Sequence, residues 1–228
     1  MSDQDEMKRL AGETAAERVR DGMIVGLGTG STVFYTVLKL GEMVRGGLDI
    51  TGVPTSKATE RLATEQGIKL GTLAEFPRIN LTIDGADEVD PQFNLIKGMG
   101  GALLREKVVA SVSERMIVIV DDSKMVEKLG TRSPLPVEVV PFALATALLE
   151  LKELCKEAVV RENDGQTFVT DNGNNIVDCR FEGIDDPVEL DSRLFGIPGV
   201  VENGLFLGLA TTVVVGTPEG VKVLEKPI

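Results

Sequence analysis

An apolar run at Ile79, Leu81 and Ile83 stops at Asp84-Gly85-Ala86-Asp87. A short apolar run that ends in carboxylates reads as a buried strand, here over residues 79–83, that delivers two aspartates to its C-terminal tip. This constrains the chain more than any other feature, because in open α/β sheets ligands bind at such tips. Ten residues beyond Asp87 stands Lys97, followed by Gly98-Met99-Gly100-Gly101 and by a helical pattern over residues 100–113 carrying Arg105, Glu106 and Lys107. A lysine beside several glycines at a helix start offers one mobile cation and several backbone N–H donors, an arrangement suited to an anion.

A second glycine-rich loop precedes this segment. Residues 23–27 read as a short apolar strand, Gly28-Thr29-Gly30-Ser31-Thr32 as its loop, and the spacing of Val33, Val37, Leu38 and Leu40 as a helix ending near Gly46-Gly47. The loop shares the physics of a phosphate loop: close backbone approach, hydroxyl donors and a helix N-terminus. It lacks the Gly-Lys-Ser/Thr ending of a P-loop, and Val33 occupies the third glycine position of G-x-G-x-x-G. Taken alone it more readily describes a tight turn with Ser31 or Thr32 as helix N-cap.

The same unit recurs. Residues 48–53 predict a strand, Pro54-Thr55-Ser56 its loop, 57–66 a helix, 68–73 a short strand, and 116–120 a strand ending in Asp121-Asp122-Ser123-Lys124. A helix over residues 3–20 precedes them all, with Gly22 as its stop. Repeated β-α units of this length predict a Rossmann-like, doubly wound, mostly parallel sheet. The pattern changes at Pro134-Leu135-Pro136. A strand at 137–140, a helix at 143–157, strands near 159–162, 167–170 and 175–180 joined by Asn163-Asp164-Gly165 and Asp171-Asn172-Gly173-Asn174, a helix at 187–195 and a strand at 200–201 predict a smaller α+β, ferredoxin-like domain. Strands at 211–215 and 221–224 rejoin the first domain. The expected division is residues 1–133 plus 206–228 for the larger domain and 134–205 for the smaller, a candidate oligomer interface.

Composition narrows the chemistry. The 228 residues contain no histidine, which removes Ser-His-Asp triads, Cys-His pairs and histidine-ligated metals, so acid–base work near neutrality falls to Asp, Glu, Lys, Tyr or Cys. Cys155 and Cys179 have no metal-ligand spacing and read as reduced packing residues. A net charge of −12 without a basic run excludes a nucleic-acid binder but not a phosphorylated metabolite in a local cationic pocket. No apolar run reaches the ~18 residues of a membrane span, and the polar start lacks a signal pattern. The expected protein is soluble and cytoplasmic, without a membrane partner.

Each candidate residue has a plainer reading. Asp84 and Asp87 are common turn residues, yet two carboxylates flanked by Gly85 and Ala86 leave room for a ligand's hydroxyls. Lys97 is either a solvated loop lysine or an oxyanion contact. Glu106 is either a surface residue of a charged triplet or, three residues after Leu103, a side chain turned towards the strand tips, where burial makes a carboxylate a base near neutrality. Lys124 is either a helix-start lysine or a phosphate contact.

Taken together, nine segments resemble the type A ribose-5-phosphate isomerases: GLGTGST (residues 26–32), VPTS (53–56), IDGADEVD (83–90), IKGMGGALLREK (96–107), DDSK (121–124), PLPVEV (134–139), VTDNGN (169–174), IPGVVENGLF (197–206) and GTPEGV (216–221). The resemblance spans nearly the whole chain. It implies interconversion of D-ribose 5-phosphate and D-ribulose 5-phosphate in the non-oxidative pentose phosphate pathway, with no metal or organic cofactor, by a homodimer or homotetramer. It implies that Glu106 is the base. It assigns substrate binding to Thr29, Gly30, Ser31 and Thr32, to Asp84, Gly85, Ala86 and Asp87, to Lys97, Gly98, Met99 and Gly100, and to Lys124, with Asp84, Asp87 and Lys97 also catalytic. Where the family often has KGGGG, this chain carries Met99, which is harmless if its φ is negative. Rival readings are a non-catalytic sugar-phosphate sensor, which has no need of Glu106, a coenzyme A transferase-like enzyme, whose chain is normally longer, and a Rossmann dehydrogenase, whose glycine fingerprint is incomplete here.

Overall fold

The computed structural model describes residues 2–226; Met1, Pro227 and Ile228, at the ends of the expected ranges 1–133 and 206–228, lie outside the described residues. The chain divides into two compact units: Met1–Ala86, Arg105–Met125 and Gly208–Ile228 form one, and Asp87–Leu104 with Val126–Leu207 the other.

The first unit is built on a seven-stranded sheet in the order Gly220–Glu225, Thr212–Thr217, Met116–Asp121, Leu81–Gly85, Ile24–Leu27, Thr51–Pro54, Lys69–Leu70. All neighbours are parallel except the outermost pair, Thr212–Thr217 with Gly220–Glu225. The chain begins in the interior strand Ile24–Leu27, moves outward on one side, then returns to Leu81–Gly85 on the other. The strand order therefore reverses between these two neighbours, which creates a switch point.

Alternate side chains explain why both sheet faces are covered. Val25, Leu27, Leu81, Ile83, Ile117 and Ile119 share one cluster with Ala11, Ala15 and Ala16 of the helix Asp3–Ala16 and with Val33, Val37 and Leu40 of the helix Ser31–Arg45. The intervening residues face the helix Leu103–Ser111 and the turn after it: a Cβ on Gly26 would stand 2.7 Å from Val109, and Thr82 Oγ1 lies 2.7 Å from Ser113 Oγ. Each fully buried Leu or Ile contributes roughly 1.5–3 kcal/mol relative to exposure, so the two-sided cover is what allows nearly continuous apolar strands. The first helix is shorter than its pattern predicts. Arg18 and Val19 donate to Ala15 and Ala16, three residues back, so the chain tightens into a turn before Gly22.

The second unit holds a four-stranded antiparallel sheet in the order Val200–Asn203, Leu135–Val139, Asn175–Arg180, Glu157–Val160. With the helices Leu144–Lys152 and Pro187–Phe195 this is a β-α-β-β-α-β arrangement, the expected ferredoxin-like pattern. Asp164 and Gly165 take the left-handed conformation (φ 51° and 75°) that a two-residue hairpin turn needs. Cys155 and Cys179 are free thiols in this unit. The neighbouring Cys179 thiol holds the Cys155 thiol below its ordinary value, and the same neighbour together with burial pushes the Cys179 thiol up.

The division differs from the expected one at 134 and 206. A small antiparallel sheet joins Glu88–Val89 and Leu95–Ile96 to Leu205–Phe206. Buried Glu88 also accepts N–H bonds from Gly130, Arg132 and Ser133 at 2.6–2.7 Å. These bonds draw residues 87–104 and 126–133 into the second unit. Two-residue strands carry no readable alternation, which is why the sequence pattern does not reveal them.

Candidate active site

In the first unit, four adjacent parallel strands end on one edge. Their tips carry Thr55 and Ser56 after Thr51–Pro54, the loop Gly28–Thr29 after Ile24–Leu27, Asp84 in Leu81–Gly85, and Lys124 in the 3-10 turn Asp122–Lys124 after Met116–Asp121. Neighbouring tips lie about 5 Å apart, so the four tips span roughly 15 Å.

At the switch point the two central tips interlock. Thr29 N–H donates to Asp84 Oδ1 at 3.1 Å, and Gly28 approaches so closely that a Cβ there would stand 2.1 Å from the same oxygen. Asp84 is fully buried. Thr29 Oγ1 joins a hydroxyl cluster with Thr55 (2.8 Å), Ser56 (2.9 Å) and Thr59 (3.2 Å), and Thr59 in turn donates to Gly28 O at 2.8 Å. The helix Ser31–Arg45 begins after Gly30, which has no side chain to cap it. Neither Ser31 nor Thr32 is therefore the N-cap; they are the first two helical residues, and their N–H groups belong to the uncapped first turn. Lys124 is half-buried; Asp121 caps its turn by accepting from Ser123 N–H at 3.1 Å. Gln4 Nε2 reaches Asp121 Oδ2 at 3.4 Å, bringing the start of the first helix to the same tip.

Glu106 takes the inward of its two readings. It sits in the first turn of the helix Leu103–Ser111 and is only 3% exposed. Glu106 and Val109 share a helix face, and Val109 packs on the sheet beside Gly26. The helix runs antiparallel to the strands: its C-terminal end lies at the foot of the Leu81–Gly85 strand, where Ile79 N–H donates to Val112 O at 3.1 Å. Its N-terminal turn, with Glu106, is thus directed towards the carboxyl edge. The expected helix start at residue 100 moves to Leu103 because Gly98 and Gly101 have φ of 111° and 76°, incompatible with a helix.

In the second unit, Asp87, Lys97, Gly98, Met99 and Gly100 come together. Asp87 N–H donates to Ile96 O at 2.8 Å, and Asp87 Oδ2 accepts from Met99 N–H at 3.0 Å. Lys97 is 2% exposed, its N–H donates to Gly204 O at 2.9 Å and its ammonium lies 5.4 Å from the Phe206 ring centre. It is therefore not a solvated loop lysine. Met99 is half-exposed and not among the residues with positive φ, so the turn accepts a side chain there. Met99 N–H goes to Asp87 and Gly101 N–H to Gly98 O at 3.0 Å. Gly85 and Ala86 are half-buried and link Asp84 to Asp87 along the chain.

Sequence reasoning missed Arg161, which donates to the carbonyls of Gly98 and Met99; a lone arginine beside a predicted hairpin carries no local signal. Buried Glu138, in the PLPVEV segment, gathers Thr170 and Asn174 of the 169–174 segment, each at 2.9 Å, a structural role. Among the described residues no group of three or more His, Cys, Asp or Glu is arranged to hold a metal ion, and no helix is long and apolar enough to cross a membrane.

Fold and site together define a class: an α/β protein whose larger unit carries hydroxyl, carboxylate and ammonium groups at the carboxyl edge of a mostly parallel sheet. Comparison with known proteins makes this specific. Residues 51–220 match the family described as ribose 5-phosphate isomerase A (phosphoriboisomerase A). A ribose-5-phosphate isomerase A from Rhodopseudomonas palustris (strain BisB18) is 53% identical, over 98% of this chain and 99% of its own. A D-ribose-5-phosphate isomerase solved in complex with phospho-erythronic acid superposes with a TM-score of 0.94 at 44% identity, covering 99% of this chain and 100% of its own. The ribose 5-phosphate isomerase of Plasmodium falciparum gives 0.95 at 38% identity, covering 98% and 100%. The chain belongs to the ribose-5-phosphate isomerase A family.

Proposed function

We infer that this protein interconverts D-ribose 5-phosphate and D-ribulose 5-phosphate, with Glu106 as the base. The observation that carries the assignment of the base is the burial of Glu106 in a helix turn directed at the carboxyl edge of the sheet. Glu106 takes the proton from C2 of the open-chain aldose, the electrons of that C–H bond form the C1–C2 double bond of an enediolate, and the same carboxyl returns the proton to C1. Negative charge develops on the oxygen atoms during this step. Lys97 and the N–H of Gly100 stabilise it. Asp84 and Asp87 bind the sugar hydroxyls and help move the proton between O1 and O2. Ser31, Thr32 and Lys124 hold the phosphate, supported by the uncapped helix start and by an ammonium two strands away.

The deciding comparison is wild type against Glu106→Gln, assayed for ketose formation with excess chelator present. Wild-type turnover survives the chelator, and the variant loses roughly 100- to 10,000-fold in kcat. The variant keeps its affinity for phospho-erythronic acid, whose carboxylate is a stable counterpart of the enediolate. Full activity of Glu106→Gln removes the assignment of the base.

We also propose a homodimer or homotetramer. The second unit exposes Phe142 completely and Leu149, Val188 and Phe195 largely, and such apolar exposure marks contact surfaces. Light scattering that returns the 24.4 kDa mass of one chain overturns this.

A further inference from the structure

Arg161 follows the strand Glu157–Val160 and is tied to the neighbouring strand Asn175–Arg180 by its N–H bond to Ile176 O at 2.8 Å. Its side chain is only 11% exposed. Nε and Nη2 form a two-pronged ion pair with Asp178, at 2.8 and 2.5 Å. The guanidinium carbon lies 5.8 Å from the Phe168 ring centre. Nη1, the nitrogen that takes no part in this pair, donates to Gly98 O at 2.8 Å and to Met99 O at 3.1 Å.

Two consecutive carbonyls held by one cation fix two consecutive peptide planes. In a trans peptide the N–H points opposite to the C=O of the same plane. With the Gly98 carbonyl on Arg161, the Met99 N–H must leave from the other side, and it does, reaching Asp87 Oδ2 at 3.0 Å. With the Met99 carbonyl on Arg161, the Gly100 N–H is likewise turned away from the guanidinium. A positive charge on the carbonyl side also polarises both peptides and strengthens both N–H groups as donors. The Asp178 pair keeps the guanidinium from swinging away, because a planar fork held at two nitrogens has little rotational freedom left.

We propose that Arg161 is a positioning residue for the isomerisation: it sets the orientation and donor strength of the Met99 and Gly100 N–H groups and so acts on the transition state without touching substrate. This rests on the reading that the glycine turn and Lys97 stabilise the developing oxyanion. Such a residue acts on kcat far more than on KM, because the phosphate and hydroxyl contacts that hold the ground state are unaffected, while a misplacement of about 1 Å at the reacting centre costs up to about 100-fold.

The test compares Arg161→Gln, Arg161→Lys and Lys97→Met with wild type, reading kcat, KM and the affinity for phospho-erythronic acid, after circular dichroism has established which variants fold. Arg161→Gln is expected to lose roughly 10- to 100-fold in kcat with KM little changed, and to lose affinity for the acid in parallel. Arg161→Lys restores part of both, since an ammonium reaches one carbonyl but cannot keep the two-pronged bond to Asp178. Wild-type kcat and affinity in folded Arg161→Gln, while Lys97→Met loses both, overturns the role of Arg161 and leaves the reading of the turn intact. If Lys97→Met also keeps full kcat and affinity for the acid, the reading of the turn fails and this inference with it. Should Arg161→Gln not fold, Arg161→Lys decides alone: a fall in kcat at unchanged KM supports the role, and wild-type kcat overturns it.

Discussion

The protein has two glycine-rich loops, and they are held in place by different means. Around Gly28 and Thr29 every anchor is close in the sheet: the strand tip on one side supplies Asp84, the tip on the other side supplies the hydroxyls of Thr55 and Ser56, and the helix that follows it supplies Thr59. These hydroxyls also bond to one another and to the backbone, as Thr59 does to Gly28 O and Ser56 to Thr59. Around Gly98 and Met99 the carbonyl anchor is a single guanidinium from a residue 62 to 63 positions away, and the N–H anchor is Asp87. The first loop is redundant and neutral apart from Asp84; the second depends on one cation for its carbonyls and one carboxylate for its N–H. Redundant hydroxyl bonds contribute about 1 kcal/mol each and fail singly, whereas bonds to a charged donor are stronger and fail together.

Between the two loops, the larger expected effect comes from the one position where the first has no redundancy. Gly28→Ala places a methyl 2.1 Å from Asp84 Oδ1 and 2.7 Å from the Asp84 Cα, so backbone as well as side chain must shift. Overpacking of this kind costs about 3 kcal/mol, which lowers Tm by roughly 6–12 °C in a chain of this size. Displacing Asp84 and Thr29 together also lowers kcat/KM by about 100-fold. Thermal unfolding and the isomerase assay on the same preparation check both. A variant with wild-type Tm and activity shows that the loop relaxes freely, and the contrast between a locked and a singly anchored loop collapses.

The same contrast explains what could be read from the residues alone. The first loop is legible because its parts are consecutive: an apolar run, glycines, hydroxyls, then a helical pattern. Asp84, Thr55 and Ser56 end the adjacent apolar runs, so the strand pattern that predicts the sheet also puts these three anchors at neighbouring tips. The helix Pro187–Phe195 and the Asp164-Gly165 hairpin are legible for the same local reason. The N-cap expected at Ser31 or Thr32 is not what forms, because Gly30, with φ 130°, already turns the chain. The second turn is legible only in part. Lys97 and the glycines announce an anion site, but the φ of Gly98 and Gly101 delays the helix to Leu103, and nothing near Arg161 in the chain marks its partner. The sheet of Glu88–Val89, Leu95–Ile96 and Leu205–Phe206 is hidden too, since its pairing is long-range and its strands are two residues each.

Met99 gives the smallest and most discriminating effect. It stands where the family often has glycine, yet its φ is not positive and its side chain is half-exposed beside Arg161, with the sulfur 3.9 Å from Nη2. If Arg161 and Asp87 hold the turn by its backbone, the identity of this side chain is immaterial to the N–H directions. Met99→Gly then leaves kcat and KM unchanged. It lowers stability by about 0.5–1 kcal/mol through the added freedom of the unfolded chain, seen as a Tm lower by roughly 1–4 °C. A rise in kcat would mean that the methionine obstructs the substrate. A large fall would mean that its packing, and not the guanidinium, holds the turn, and the two loops would then differ less than their anchors suggest.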